Sequence, residues 1–428
     1  MRAQAKRRGG AIAAMAAALA CALPAAAPGD ARASTLVTWT TRSDFVDPAN
    51  VQFNNPPPGA PARQPALRVN VLLPDGFTRQ RRWPVLYLLH GHGDAYDYWA
   101  NPERGDLLDV AAGFPGIVVM PEGGRGWYVN WWNSGRRAGP AWERYHLDEL
   151  IPLVEKRLPI RRARRWHAIA GLSMGGEGAL FYASQRPGYF GSAASFSGAI
   201  SIQRPEWPSG FDTQGEKHLD VFGDPQAQRF YWTGHNPTAL TDNLEHTRLY
   251  VTVGDGVPDP SRPNEIGNLF GQVAEVELAQ HASDFATAAR GSGADVTYVP
   301  RQGIHDWPYW RRHLADAIGW DFFGPVERRP RSWTFDTVAE TGEMWGLRFR
   351  FFDPPATLAH FSMEGRRLEL TTGGTVRLRT PSGCRFALPG AVSVATLPRG
   401  YSRRPKGRRA RARAKRRCRN MGIIGVVP

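Results

Sequence analysis

Gly171-Leu172-Ser173-Met174-Gly175 is the stretch on which the reading of this chain turns. Trp166-His167-Ala168-Ile169-Ala170, an apolar β-type run, stands directly before it, and Gly176-Glu177-Gly178-Ala179-Leu180-Phe181 opens a helix directly after it. In a chain with 46 glycines a G-x-S-x-G is weak evidence by itself. Between a strand and a helix it reads as a nucleophile elbow, a sharp turn that holds a serine strained with its Oγ exposed. Glycine is required at the flanks because Cβ atoms would collide with neighbouring backbone. The helix N-terminus adds a positive dipole beneath a developing oxyanion. The alternative is a structural glycine-rich turn.

Working outward, residues 66–73, 85–89, 116–120, 166–170 and 249–253 are short Leu-rich and β-branched runs. Between and after them lie helix-length segments at 141–158, 174–186, 275–290 and 307–320. This alternation predicts an α/β fold with a mostly parallel sheet covered by helices on both faces. The pattern ends near Gly324. Residues 330–398 contain alternating or apolar runs, with turns at Asp353-Pro354-Pro355 and Gly373-Gly374, and no long helix. They predict a small β-rich, sandwich-like C-terminal module.

Of the formal net charge of +15, residues 1–33 carry +4 and residues 399–428 carry +12, which leaves the body near neutral. Composition therefore gives the folded part no specific nucleic-acid role. The N-terminus reads as an export signal. Arg2, Lys6, Arg7 and Arg8 precede an apolar stretch too short to span a bilayer, and Ala31-Arg32-Ala33 offers a cleavage site. The expected organisation is a signal peptide at 1–33, a catalytic domain at 34–325, a β-rich module at 330–398 and a basic tail at 399–428. No transmembrane segment is expected. Export to an oxidising compartment would let Cys384 and Cys418 pair, making the basic run a tethered loop, with 421–427 docking as a last strand; the alternative is a solvated tail with two free thiols.

A serine nucleophile needs a base. His305, in Gln302-Gly303-Ile304-His305-Asp306-Trp307, follows the run 296–299 and precedes the last helix of the body, the place for a loop histidine at the C-terminal edge of a sheet. The acid should lie between Ser173 and His305 in chain order. Asp255 follows the run 249–253. Glu275 shares a helical stripe with Ala279, Ala282 and Ala286, and a carboxylate on a buried stripe needs a reason such as orienting His305. The residues alone leave both open.

Four pieces, taken in order, carry a family resemblance: Leu86-Tyr87-Leu88-Leu89-His90-Gly91-His92-Gly93, Met120-Pro121-Glu122-Gly123-Gly124, Gly171 to Gly176, and His305-Asp306-Trp307-Pro308-Tyr309-Trp310. Over residues 66–325 the chain resembles the esterase D and mycolyltransferase branch of the α/β-hydrolases. The resemblance implies an α/β-hydrolase fold, Ser173 as nucleophile, His305 as base, and a helical glutamate, Glu275, as acid. It assigns the oxyanion hole to the backbone N–H groups of Met174 and His92. Trp307 matches the acceptor-side tryptophan of the family. Trp99, Trp127, Tyr128, Trp131 and Trp132 fall on loops beside the expected site, where Trp131 and Trp132 are candidates for substrate binding. Mycolyltransferases carry an Asp and an Arg in the Gly-rich loop; here those positions are His90 and Gly93, which leans toward hydrolysis or another acceptor.

The expected function is a secreted serine esterase acting on an ester or acyl-lipid substrate, with no cofactor and no metal. An acyltransferase using a sugar or glycerol acceptor is the first alternative. A non-catalytic cell-wall binder on a hydrolase fold is the second. His90-x-His92-x-Asp94 resembles part of a metallo-hydrolase signature, but Ala95 stands where its next histidine belongs. The basic tail suits an anionic cell-wall polymer or lipid headgroups.

Overall fold

The computed structural model describes residues 33–51, 65–133, 139–372, 374–419 and 422–426. The export signal expected at 1–33 lies almost wholly outside them. The strands of the body are β1 (Thr35–Thr40), β2 (Arg68–Leu73), β3 (Val85–Leu89), β4 (Ile117–Pro121), β5 (His167–Leu172), β6 (Ser192–Phe196), β7 (Arg248–Val253) and β8 (Val296–Pro300). They form one sheet in the order β1-β2-β4-β3-β5-β6-β7-β8. The strands from β4 to β8 pair in parallel, and β1 and β2 add an antiparallel edge.

Both faces of this sheet are covered. In β3, Val85, Tyr87 and Leu89 enter one buried cluster while Leu86 and Leu88 enter the other, the period of two expected of a strand buried on both sides. The helices, in chain order, are α1 (Leu107–Val110), α2 (Trp142–Arg144), α3 (Ile151–Arg157), α4 (Met174–Gln185), α5 (Trp207–Gln214), α6 (His218–Val221), α7 (Arg229–Thr233), α8 (Leu269–Gly291) and α9 (Trp307–Gly319). A π-helical stretch, Tyr145–Leu150, joins α2 to α3. Every residue of α4 is buried, as befits a helix packed across the middle of a sheet. The short helices α5 to α7 form an insertion between β6 and β7. The sequence pattern does not announce it, because helices of four to eight residues carry too few turns to set up a period. The α/β-hydrolase fold with a β-rich C-terminal addition is thus present.

That addition has two antiparallel sheets. β9 (Ser332–Thr337), β12 (Ala359–Glu364), β13 (Arg367–Thr372), β16 (Ala391–Thr396) and β17 (Gly422–Val426) form one; β10 (Thr341–Met344), β11 (Leu347–Phe351), β14 (Val376–Arg379) and β15 (Arg385–Leu388) form the other. Phe335, Phe361 and Leu370 of the first pack with Phe349, Leu378 and Leu388 of the second. The tail is not a free coil. Residues 408–418 form α10 (Arg408–Cys418), β17 pairs antiparallel with β16, and Cys418 is bonded to Cys384. The module is stitched to the body by Asn243, which exchanges hydrogen bonds with the Asp336 backbone, by Gln185, whose Oε1 accepts from Thr337 Oγ1 at 2.8 Å, and by His246, whose Nε2 donates to the Ser332 carbonyl at 2.9 Å.

Candidate active site

The chain leaves β3 toward β4 on one side, and β5 lies on the other. The crevice at the C-terminal ends of β3 and β5 is therefore a topological switch point, where open α/β sheets bind ligands. The loop after β3 carries His92 and the turn after β5 carries Ser173.

Ser173 sits at φ 52°, ψ −119°, a conformation costly for a residue with a Cβ. Its surroundings impose the strain. A Cβ on Gly171 would overlap the Gly175 carbonyl, and one on Gly175 would stand 2.5 Å from the His90 carbonyl oxygen. The turn is thus as tight as backbone permits, and the serine is left at the head of α4, where the first N–H groups of a helix lack intrahelical partners.

His305 Nε2 lies 2.9 Å from Ser173 Oγ, and His305 Nδ1 lies 2.8 Å from Glu275 Oε2. Two elements fix the imidazole. Its backbone N–H donates to the Gly271 carbonyl at 2.9 Å, and its ring meets Trp310 edge-on at 4.8 Å between centroids. Asp306 caps α9 by accepting from Trp307 N–H at 2.7 Å. Glu275 is fully buried, and its other oxygen accepts from Ser197 Oγ at 2.6 Å and Gly254 N–H at 2.5 Å. Burial pushes this carboxyl up, but the His305 hydrogen bond and charge, then Ser197 and Gly254, outweigh it and hold Glu275 below the usual carboxylate range.

Asp255, the rival acid, is exposed and takes no part in this chain. Its Oδ1 accepts from Val257 and Gly303 N–H groups, tying the loop after β7 to the loop that carries His305. The metal-type pattern His90-x-His92-x-Asp94 does not converge either. His90 Nε2 lies 3.2 Å from Glu122 Oε1, whereas His92 Nε2 lies 2.5 Å from Glu216 Oε2. Among the described residues Glu206, Glu277 and His281 come close enough to share an ion. The His281 nitrogens, however, face the Ser201 and Trp207 N–H donors at 3.1 and 2.5 Å, which leaves no lone pair for a metal.

The loop aromatics divide. Trp99, Trp127 and Tyr128 are fully buried and pack on the body. Trp131 and Trp132 are half-buried; Trp131 Nε1 donates to the Gly126 carbonyl, and Trp132 packs on Phe230 and Tyr231. Trp307 is 7% exposed, wedged among Tyr98, Trp99 and Trp310. Sequence reading missed Ser197, which braces Glu275, and the brace on His92, whose partner Glu216 also holds Arg125 Nε at 2.8 Å. Neither has a local signal beyond Ser197 standing at the end of β6.

A parallel sheet, a strained elbow serine and an adjoining histidine define an α/β-hydrolase. A family described as "Putative esterase" matches residues 62–320, and the chain belongs to it. Esterase Rv1288 of Mycobacterium tuberculosis H37Rv is 34% identical over 278 residues, 62% of this chain and 57% of that protein. The chain therefore spans little more than half the length of that relative. The diacylglycerol acyltransferase/mycolyltransferase Ag85B of Mycolicibacterium smegmatis is 29% identical over 55% of this chain and 75% of its own length. The solved structure of an S-formylglutathione hydrolase from Agrobacterium tumefaciens superposes with a TM-score of 0.51 at 16% identity, covering 67% of this chain and 94% of that one, and shares the fold. Among the described residues no helix is long and apolar enough to cross a membrane.

Proposed function

We propose that this protein is an exported carboxylic-ester hydrolase that works through an acyl-enzyme. The observation that carries the proposal is the unbroken chain Ser173–His305–Glu275 at 2.9 and 2.8 Å. His305 Nε2 takes the proton from Ser173 Oγ as the oxygen attacks the ester carbonyl. The backbone N–H groups of Met174 and His92 hold the oxyanion, and Glu275 stabilises the imidazolium. The imidazolium then protonates the leaving alcohol, an acyl-serine remains, and water activated by His305 releases the acid.

The face of α8 opposite Glu275 supports an acyl or acyl-lipid substrate. Its first two turns expose Leu269, Phe270, Val273 and Val276 beside the His305 loop, whereas later outward positions such as Gln280 and Asp284 are polar. Likeness to mycolyltransferases favours a second reading, acyl transfer to an alcohol in place of water. Export is supported by the basic and apolar start of the chain and by the Cys384–Cys418 bond, which belongs to an oxidising compartment. The cationic tail is suited to an anionic cell-wall polymer or lipid headgroup. The test is turnover of p-nitrophenyl esters of increasing chain length, with and without glycerol or sugar acceptors. Acid release without acceptor supports hydrolysis, and turnover that requires the acceptor supports transfer. Failure to label Ser173 with a fluorophosphonate probe would refute both.

A further inference from the structure

Residues 370–428 contain 15 Lys and Arg and no Asp or Glu, a surplus equal to the net charge of the whole chain, since the residues before them sum to zero. None of these cations is in an ion pair among the described residues. The charge is also organised. α10 lies across the loop after β16, and between them runs a groove of about 220 Å³. Arg413 and Arg417, one helical turn apart on α10, line one wall; Arg399 and Arg403 line the other. Ala410 and Ala414 share the inward face of the helix, and their small side chains let the two walls approach.

The walls are fixed in place. Cys418, at the end of α10, is bonded to Cys384 in the turn between β14 and β15. Ser382 of that turn donates its N–H to the Tyr401 carbonyl on the opposite wall at 2.9 Å, and Arg417 Nη1 donates to the Arg399 carbonyl at 3.3 Å. Four guanidinium groups held around one concavity with no acid nearby repel one another, and an anion seated among them relieves that repulsion.

We infer that this groove binds the phosphate groups of a linear polyanion. Guanidinium forks match phosphate oxygens bidentately. The lining holds no aromatic ring on which a base could stack and no Asn or Gln to read a base edge, so it answers to charge and not to sequence. A concave, covalently framed groove also fits a single chain better than the flat surface of a bilayer. This deepens the anionic-partner reading above and is independent of the ester chemistry.

The experiment is calorimetric titration of the whole exported chain with linear polyphosphate, orthophosphate, and phosphatidylglycerol vesicles. The groove pair Arg403→Gln/Arg413→Gln is compared with the outward pair Arg408→Gln/Lys415→Gln, which removes the same charge; all four positions are exposed, so the fold is kept. Polyphosphate should bind at one site, with a log K against log salt slope of about −3 for four contacts. The groove pair should lose at least about tenfold in affinity and the outward pair less than about threefold. Ester turnover should not change in any variant. Equal losses in the two pairs would reduce the site to diffuse charge. Orthophosphate binding as tightly as the polymer, or vesicles binding tightly whether or not the groove pair is intact, would also overturn the inference.

Discussion

The elbow of the body and the groove of the C-terminal module handle charge in opposite ways. Around Ser173 the ionisable groups are few, buried and matched: Glu275 has three partners, His90 leans on Glu122, and His92 leans on Glu216. Around α10 they are many, exposed and unmatched. The contrast matches the two roles proposed above. Moving a proton needs one geometry, so the site is fixed by tight backbone and by buried acids whose alternatives are costly. Holding a polyanion, as proposed for the groove, would need only charge density on a firm frame, which exposed guanidinium groups supply without a unique arrangement.

The largest effect that would break the comparison lies at Ser173. Ser173→Ala should lower kcat by about four to six orders of magnitude with the fold and polyphosphate affinity unchanged. Near-normal turnover would mean the strained turn has no chemical purpose. Glu275→Gln should follow, costing about three to four orders of magnitude in kcat, because the amide can donate back to Nδ1 and favour the wrong tautomer. Asp255→Asn should leave kcat within about tenfold and act on the loop it ties, at about 1 kcal/mol of stability. A severe Asp255 effect beside a mild Glu275 effect would reverse the assignment of the acid.

The module should break along a different line. Removing the Cys384–Cys418 bond, which closes a separation of 34 residues, should cost the module about 4 kcal/mol in the chain-entropy model while ester turnover stays unchanged. Two melting transitions, with only the module's moving under reductant, would show that the two regions are energetically separable. A fall in turnover that tracks reduction would show that they are not.

The difference also explains what was legible beforehand. That Ser173 and His305 would meet could be read because the signals are local, in glycines that tighten one turn and in a loop between a strand and a helix. Glu275 stood in balance with Asp255 because the choice depends on which carboxylate is buried, and a period of small residues reports that only weakly. The start of α8 was misplaced: the helix begins at Leu269, six residues before the expected 275, because exposed Leu269, Phe270 and Val273 spoil the amphipathic period. Glu216 was invisible because it reaches His92 across 124 residues of chain. The charge of the tail was plain from composition, but its groove was not, since that depends on a helix of alternating Arg and Ala being pinned at its end by a disulfide.

The smallest effect sharpens the comparison from inside the body, where one ionisable group breaks the rule of pairing. Glu177, one turn into α4, is fully buried, and neither of its carboxyl oxygens has a hydrogen-bond partner among the described residues. Burial alone pushes its carboxyl well above the usual range, and the charge it would carry is felt by the phenols of Tyr128 and Tyr182. The folded state therefore keeps a proton that the unfolded chain releases. The sign follows from linkage: this group's contribution is fully present below the ordinary carboxylate range and is lost as pH rises through the raised value. Glu177→Gln keeps the shape and removes the titration. It should raise Tm by a few degrees, about 1 kcal/mol, with a gain that is larger at pH 8 than at pH 4. A gain independent of pH would mean that Glu177 is not held protonated. A loss at every pH would mean that its carboxylate is charged and paired like the other acids around the elbow.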